Sequence, residues 1–275
     1  MFLEMSGGNT ELAVQIYFGS AGTASAPAPA TQTNPLPDWF TCVWSLSAGE
    51  PVPEAWLAQP LEFAKAGAPY AQLGLIQNKN GPCGALAAVN AVLVALAYAD
   101  ADVTKDRPLS PTFVPSRSLL ARAIARVMSS PLIANPPKES EPQPVAKVAR
   151  WASDIPAPGS APAVASAHVD AIAFTDVEQG NLAEFVEKNL EHYLAPGGIL
   201  LIVYSCVASH PQGKSGITKE VTTSGGQLPL ITGPFTLCTS ELLALMLRGS
   251  ANGNVGAYGP MGGAKIDWPE HCCPV

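Results

Sequence analysis

Along the chain, apolar positions recur at two spacings, separated by spans rich in proline and small residues that keep no period. Leu12 to Phe18 predicts a strand closing at Gly19. Residues 20–37 are small and proline-rich and are expected to be a flexible insertion. Phe40 to Leu46 alternates through Cys42 and Trp44 and predicts a second strand. From Leu73 a short apolar strand runs through a polar turn into a helix over Cys83 to about Ala99. There Leu86, Val89, Leu93 and Leu96 form an apolar stripe, and Ala87, Ala88, Ala91, Ala95 and Ala97 make most other faces small, so the helix is expected to be central and packed on several sides. Ser116 to Met128 predicts a helix burying Leu119, Leu120, Ala123, Ile124 and Val127, with Arg117, Arg122 and Arg126 as a solvated face. Residues 131–162 are dense in proline and read as a linker loop. Asn181 is expected to cap a helix reaching Leu194, which stops at Pro196-Gly197-Gly198. The unbroken apolar run Ile199 to Val207 then predicts a buried strand, residues 213–226 a polar loop, and Thr239 to Leu247 the last helix. These expectations add up to one α+β domain over residues 1–275, with a sheet covered by helices and the central helix over Cys83 to about Ala99 packed against it.

The turn before the central helix carries candidate chemistry. Cys83 is preceded by Gly81 and Pro82 and followed by Gly84, so the chain can bend tightly, lose one backbone donor where a helix start can spare it, and leave room for a ligand. A thiol at the amino end of a helix meets N–H groups and the positive end of the dipole, which favour the thiolate. Gln77, six residues earlier on the strand side, carries an amide that could reach across the bend. An amide donor beside a backbone N–H suits the oxyanion of an acyl transfer. Glutamine, five residues, cysteine and then an alanine- and leucine-rich helix is the entry pattern of papain-like cysteine peptidases, and that scaffold is the fold expected here. Asn90 is expected to be a buried amide bonded to backbone rather than a catalytic group.

The block GLIQNKNGPCGALAAVNAVL resembles the nucleophile segment of the MINDY deubiquitinases, in particular the branch of members three and four. PEAWLAQPLEF within residues 43–63, LAEFVEKNLEHYLAPGGILLIVYSCV over 182–207 and GPFTLCTSELLALMLRGSANGNV over 233–255 are similar to further blocks of that branch in the same order; Val203 stands where the branch has Leu. The resemblance implies hydrolysis of the isopeptide bond that ends ubiquitin, with Cys83 attacking the carbonyl, Gln77 and the Cys83 N–H holding the oxyanion, and a histidine moving the proton. It implies ubiquitin or polyubiquitin chains as partner, with a preference for the linkage that sends proteins to the proteasome. The family's histidine lies on a strand downstream of the Asn-Val block, and the stretch after Val255 shows no such strand. Of the four histidines, His168 and His192 read as structural or solvated. His210 lies out of order and before a proline, and His271 stands in the tail. The chain is therefore expected to be a shortened copy or a relative without turnover. A non-catalytic ubiquitin-binding adaptor competes with the hydrolase, as does a bacteriocin-processing peptidase, which shares the glutamine-to-cysteine spacing.

Composition narrows the classes further. The 275 residues carry a net charge of −7, a pI near 5.1 and no Lys/Arg cluster, against a nucleic-acid binder. Six cysteines without a CxxC pair, and no basic-then-apolar amino terminus, suggest reduced thiols in an intracellular protein, cytoplasmic or nuclear. His271-Cys272-Cys273 lack a second ligand pair at fitting spacing, so no metal or other cofactor is expected. No apolar run is expected to reach the ~18 residues of a membrane span.

Overall fold

In the computed structural model, residues 35–47, 50–64, 74–78, 80–101, 110, 112–137, 142–153 and 169–252 are described, and the elements below belong to one unit, Leu36–Val275. The strand expected over Leu12 to Phe18 and nearly all of the 20–37 insertion lie outside the described residues. The helices and strands are, in chain order, α1 (Asp38–Val43), α2 (Glu54–Leu57), α3 (Cys83–Asp100), α4 (Arg117–Met128), α5 (Ser130–Ala134), β1 (Val145–Trp151), β2 (Ile172–Glu178), α6 (Leu182–Lys188), α7 (Leu190–Leu194), α8 (Gly198–Ala208), α9 (Gly213–Thr223), β3 (Ile231–Thr232), β4 (Leu237–Cys238) and α10 (Ser240–Arg248). The fold is α+β, but the sheets are small. β1 and β2 pair antiparallel from Val145 opposite Glu178 to Trp151 opposite Ile172, and β3 and β4 form a short hairpin.

The centre of the core is α8, and here the expectation of a strand over Ile199 to Val207 is corrected. Every residue from Gly198 to Val207 is buried. A helix enclosed on all sides needs no polar face, so its sequence is as continuously apolar as that of a buried strand. α8 packs against β1, α4, α1, α7 and α10. Its two serines complete β1. Ser205 Oγ donates to Leu201 O at 2.6 Å and accepts the Ala149 N–H at 2.8 Å, while Ser209 Oγ accepts the Lys147 N–H at 3.0 Å. One edge of β1 is thus bonded to β2 and the other to hydroxyls one helical turn apart.

Other boundaries also shift. Residues expected as the strand Phe40 to Leu46 form α1 as far as Val43, which places Phe40, Cys42 and Val43 inward on helical spacing. The expected loop 213–226 contains α9, where Ile217 and Val221, four residues apart, are buried. The span expected as a linker over 131–162 holds most of α5 and all of β1, with 138–141 and 154–162 outside the described residues. The helix expected from Asn181 to Leu194 breaks at Asn189. Asn181 makes no capping bond; its side chain donates instead to Glu178 at 3.1 Å.

α3 and α4 start and stop close to their sequence limits. Ser116 Oγ accepts the Leu119 N–H at 3.1 Å, and Arg117 and Arg122 pair on the surface with Glu191 and Asp100. On α3, Leu86, Val89, Leu93 and Ala97 are buried against neighbours that include α4, α10 and β4, whereas Ala87, Ala91, Ala95 and Tyr98 are exposed. The helix packs on several sides, as expected, but mainly on helices rather than against a sheet, which corrects that part of the expectation, and one face stays open. By length and composition α3 could also cross a membrane, against the expectation that no run would.

Candidate functional site

Three pieces of chain carry the candidate residues and those that hold them. The first is the turn itself. Gly81 adopts φ +130, a conformation side chains rarely tolerate, and a Cβ there would crowd both the Trp56 indole nitrogen and the Thr236 hydroxyl. Cys83 opens the helix with no side-chain cap at Pro82, and its thiol is exposed. Its sulfur faces the Gly81 carbonyl at 3.9 Å, a weak contact that leaves it accessible.

The second piece is the extended segment 74–78, which carries Gln77. It crosses Phe63 in an isolated antiparallel bridge at Leu75, so the expected strand is reduced to one pair, and Leu75 N donates to Asn90 Oδ1 of α3 at 3.4 Å. Asn90 thus serves backbone, as expected. Gln77 is exposed, and the backbone on both sides of it is held by Gln59, which sequence reasoning passed over. Gln59 is 1% exposed; its Nε2 donates to Ile76 O at 2.9 Å and its Oε1 accepts the Asn78 N–H at 2.9 Å. A buried amide using both ends on flanking residues fixes the register of the residue between them.

The third piece is the β3–β4 hairpin, also absent from the sequence reading. Its inward residues bracket the thiol. Thr236 lies against Gly81, and Cys238 lies against Gly84, where an added Cβ would come within 2.8 Å of Cys238 Cβ. Trp56 pins the turn through Nε1–H to Thr236 O at 2.9 Å. Burial pushes the Cys238 thiol up to about 12 against the pull of the Ala85 and Gly84 N–H groups, and the charge of Cys83 adds to the rise. The available signal was the cysteine directly before Thr239, whose hydroxyl caps α10 by accepting the Leu242 N–H at 3.3 Å.

Neither described histidine completes this site. His210 lies just past the carboxyl end of α8, with its Nε2 3.3 Å from Glu220 and its ring against Gly216. Glu220 also accepts the Ala251 N–H at 2.6 Å, beyond the carboxyl end of α10. The Cys83 turn lies beside Cys238 at the opposite, amino end of α10, so the length of that helix stands between the two groups. His192 is half-buried beside Arg150, and burial, aided by that cation, holds its ring below the usual histidine range. Among the described residues no imidazole hydrogen-bonds to Cys83; His168 and His271, with Cys272 and Cys273, lie outside them.

An exposed thiol at a helix start against a hairpin, with a braced glutamine six residues earlier in the chain, offers parts for nucleophilic chemistry at a carbonyl. The conserved-domain model of the deubiquitinating enzymes MINDY-3/4 matches residues 46–257, and the chain belongs to that family. No curated protein and no solved structure matches the chain.

Proposed function

We propose that the chain acts on ubiquitin chains through Cys83 as a thiol-dependent hydrolase on a papain-like scaffold. The Cys83 thiolate attacks the isopeptide carbonyl, Gln77 and the Cys83 N–H receive the oxyanion, and a histidine passes the proton to the leaving lysine amine. The observation that carries this reading is an exposed thiol at an uncapped helix start, six residues after a glutamine whose backbone is clamped on both sides. The family match supplies ubiquitin chains as the substrate class. The proteasome-directing linkage and an intracellular location, cytoplasmic or nuclear, are parts of the same proposal.

A second reading is favoured by one observation, that the buried histidine nearest the family's Ser-His pattern is committed to Glu220. In that reading the chain binds ubiquitin without turnover. Ubiquitin carrying a carboxyl-terminal electrophile separates the two. The hydrolase is expected to form an adduct that Cys83→Ala abolishes and to release ubiquitin from chains of the proteasome-directing linkage; reversible binding without adduct supports the adaptor instead.

A further inference from the structure

Two of the described cysteines come together at the amino end of α3. Cys83 opens the helix with its thiol exposed, and Cys238, at the end of the β3–β4 hairpin, packs against the residue that follows it. A Cβ on Gly84 would stand 2.8 Å from Cys238 Cβ and 3.1 Å from Cys238 Sγ, so the hairpin sulfur fills the space of a missing side chain. Gly84 has ordinary helical backbone, where glycine costs about 1 kcal/mol against alanine. The close approach of Cys238 and Leu243 gives that glycine its reason. Burial acts most strongly on the Cys238 thiol, and after it the Ala85 N–H, the charge of Cys83 and the Gly84 N–H all register there, so both sulfurs lie in one electrostatic neighbourhood.

The two side chains are held differently. Cys238 is fixed, because it pairs with Ile231 across the hairpin and the next residue, Thr239, bonds through its N–H to Leu230 O at 2.9 Å. Trp56 also holds Thr236 O, two residues earlier, at 2.9 Å. Cys83 has a weak contact to the Gly81 carbonyl at 3.9 Å, and turning about its own Cα–Cβ bond breaks nothing stronger. A disulfide asks for Cβ atoms about 4 Å apart, and the uncapped first residue of a helix is the partner that can adjust to meet it.

We propose that Cys83 and Cys238 form a reversible redox pair, in which hydrogen peroxide oxidises Cys83 and Cys238 closes a disulfide across the turn. The Cys83 thiolate attacks one oxygen of the peroxide, the O–O bond breaks, and the departing hydroxide takes up a proton as water, leaving a sulfenic acid. The Cys238 sulfur then attacks the Cys83 sulfur, the S–O bond breaks, and the hydroxyl leaves with the Cys238 proton as a second water. Across both steps the two sulfurs give two electrons to one peroxide. Dithiothreitol returns them and becomes the cyclic disulfide itself. The order of events follows exposure, since peroxide reaches Cys83 while Cys238 is half-buried. Once Cys83 is a neutral sulfenic acid its charge no longer opposes ionisation of Cys238, and the Ala85 and Gly84 N–H groups still favour it. The disulfide takes Cys83 out of nucleophilic chemistry and spares it the irreversible sulfinic and sulfonic acids.

The test treats the full chain with hydrogen peroxide near stoichiometry, blocks the remaining thiols with iodoacetamide and maps the unreduced peptides by mass. A Cys83–Cys238 peptide pair within one chain is expected as the main product of Cys83, and dithiothreitol returns both thiols. Cys238→Ser is expected to raise the trapping of Cys83 sulfenic acid by dimedone at least tenfold, and to leave Cys83 beyond rescue by dithiothreitol after longer exposure. Cys272→Ser combined with Cys273→Ser leaves the cross-link unchanged. Cys83 bridged to any other cysteine or to a second chain, or trapped by dimedone in the unaltered chain as fully as in Cys238→Ser, overturns the pair, and so does a Cys83 that peroxide leaves untouched. Because the readout is the sulfur itself, each outcome is separate from whether Cys83 hydrolyses ubiquitin chains.

Discussion

At the amino end of α10 the chain leaves a sulfur in solvent, walled by glycines and a hairpin; at the carboxyl end it closes an imidazole away. Cys83 is exposed, with only the Gly81 carbonyl in weak reach. His210 has a side chain 2% exposed, an Nε2 3.3 Å from Glu220 Oε1, and an Nδ1 that accepts the Gln212 N–H at 3.3 Å. The contrast separates a group held ready from a group spent on structure. His210 joins the end of α8 to α9 and, through Glu220, to the chain after α10, so moving it toward Cys83 would orphan several polar groups at once.

Thiol reactivity tests the comparison with the largest expected effect. Burial pushes Cys42 up to about 11 and drives Cys206 higher still, against an ordinary value of 9.0, so at neutral pH Cys42 carries roughly a hundredfold less thiolate than an unperturbed thiol. Peptide mapping after brief iodoacetamide treatment is expected to find Cys83 alkylated while Cys42, Cys206 and Cys238 lag at least tenfold. Equal labelling of Cys42 and Cys83 would erase the distinction. Next comes His210→Ala, which opens space beside Gly216 and leaves Glu220 half-buried without its partner. A loss of about 3 kcal/mol in urea unfolding is expected, with Cys83 alkylation unchanged while the fold persists. A fall in Cys83 chemistry without loss of stability would instead return His210 to the site.

The same cluster sets a pH dependence. Burial raises the Glu220 carboxyl, but the hydrogen bond and charge of His210, the Ala251 N–H and Ser250 together hold it below the usual carboxylate range. A depressed carboxylate lends its stability in full above the unfolded value near 4.3 and loses it as pH falls through the lower folded value. Glu220→Gln is therefore expected to flatten the decline of unfolding free energy below about pH 4. The smallest effect belongs to a solvated pair. Arg122 holds Asp100 through two hydrogen bonds, of 2.6 and 3.1 Å, and both side chains lie largely in water. In the same unfolding experiment Arg122→Ala is expected to cost about 0.5 kcal/mol, as exposed pairs do.

Two helix starts were legible because their chemistry is local: the expected starts at Ser116 and Thr239 each fall on a hydroxyl that accepts the N–H three residues on, whereas Asn181, the residue expected as a cap, makes no capping bond. The turn at Gly81 and Gly84 was legible for the same reason. The state of 199–207 was not, since burial on every side removes the polar positions that would reveal a helical period. Threonine- and glycine-rich α9 hid its helix behind poor propensity, although Ile217 and Val221 stand four apart. At the candidate site the sequence order singled out Cys83 and Gln77 as candidates, while Trp56 and the hairpin reach the Cys83 turn, and Gln59 the segment that carries Gln77, only through tertiary contacts between distant positions.

The hydroxyls of Ser205 and Ser209 have a wider consequence. Together with Tyr193, whose OH donates to Ala149 O at 3.3 Å, they occupy backbone groups of Lys147 and Ala149 at the middle of β1, where another chain would otherwise zip on. A two-stranded ribbon is ordinarily a sticky object prone to self-association. Here a helix stands where a third strand would on the β1 side, and the blunting of that edge hangs on a few oxygen atoms.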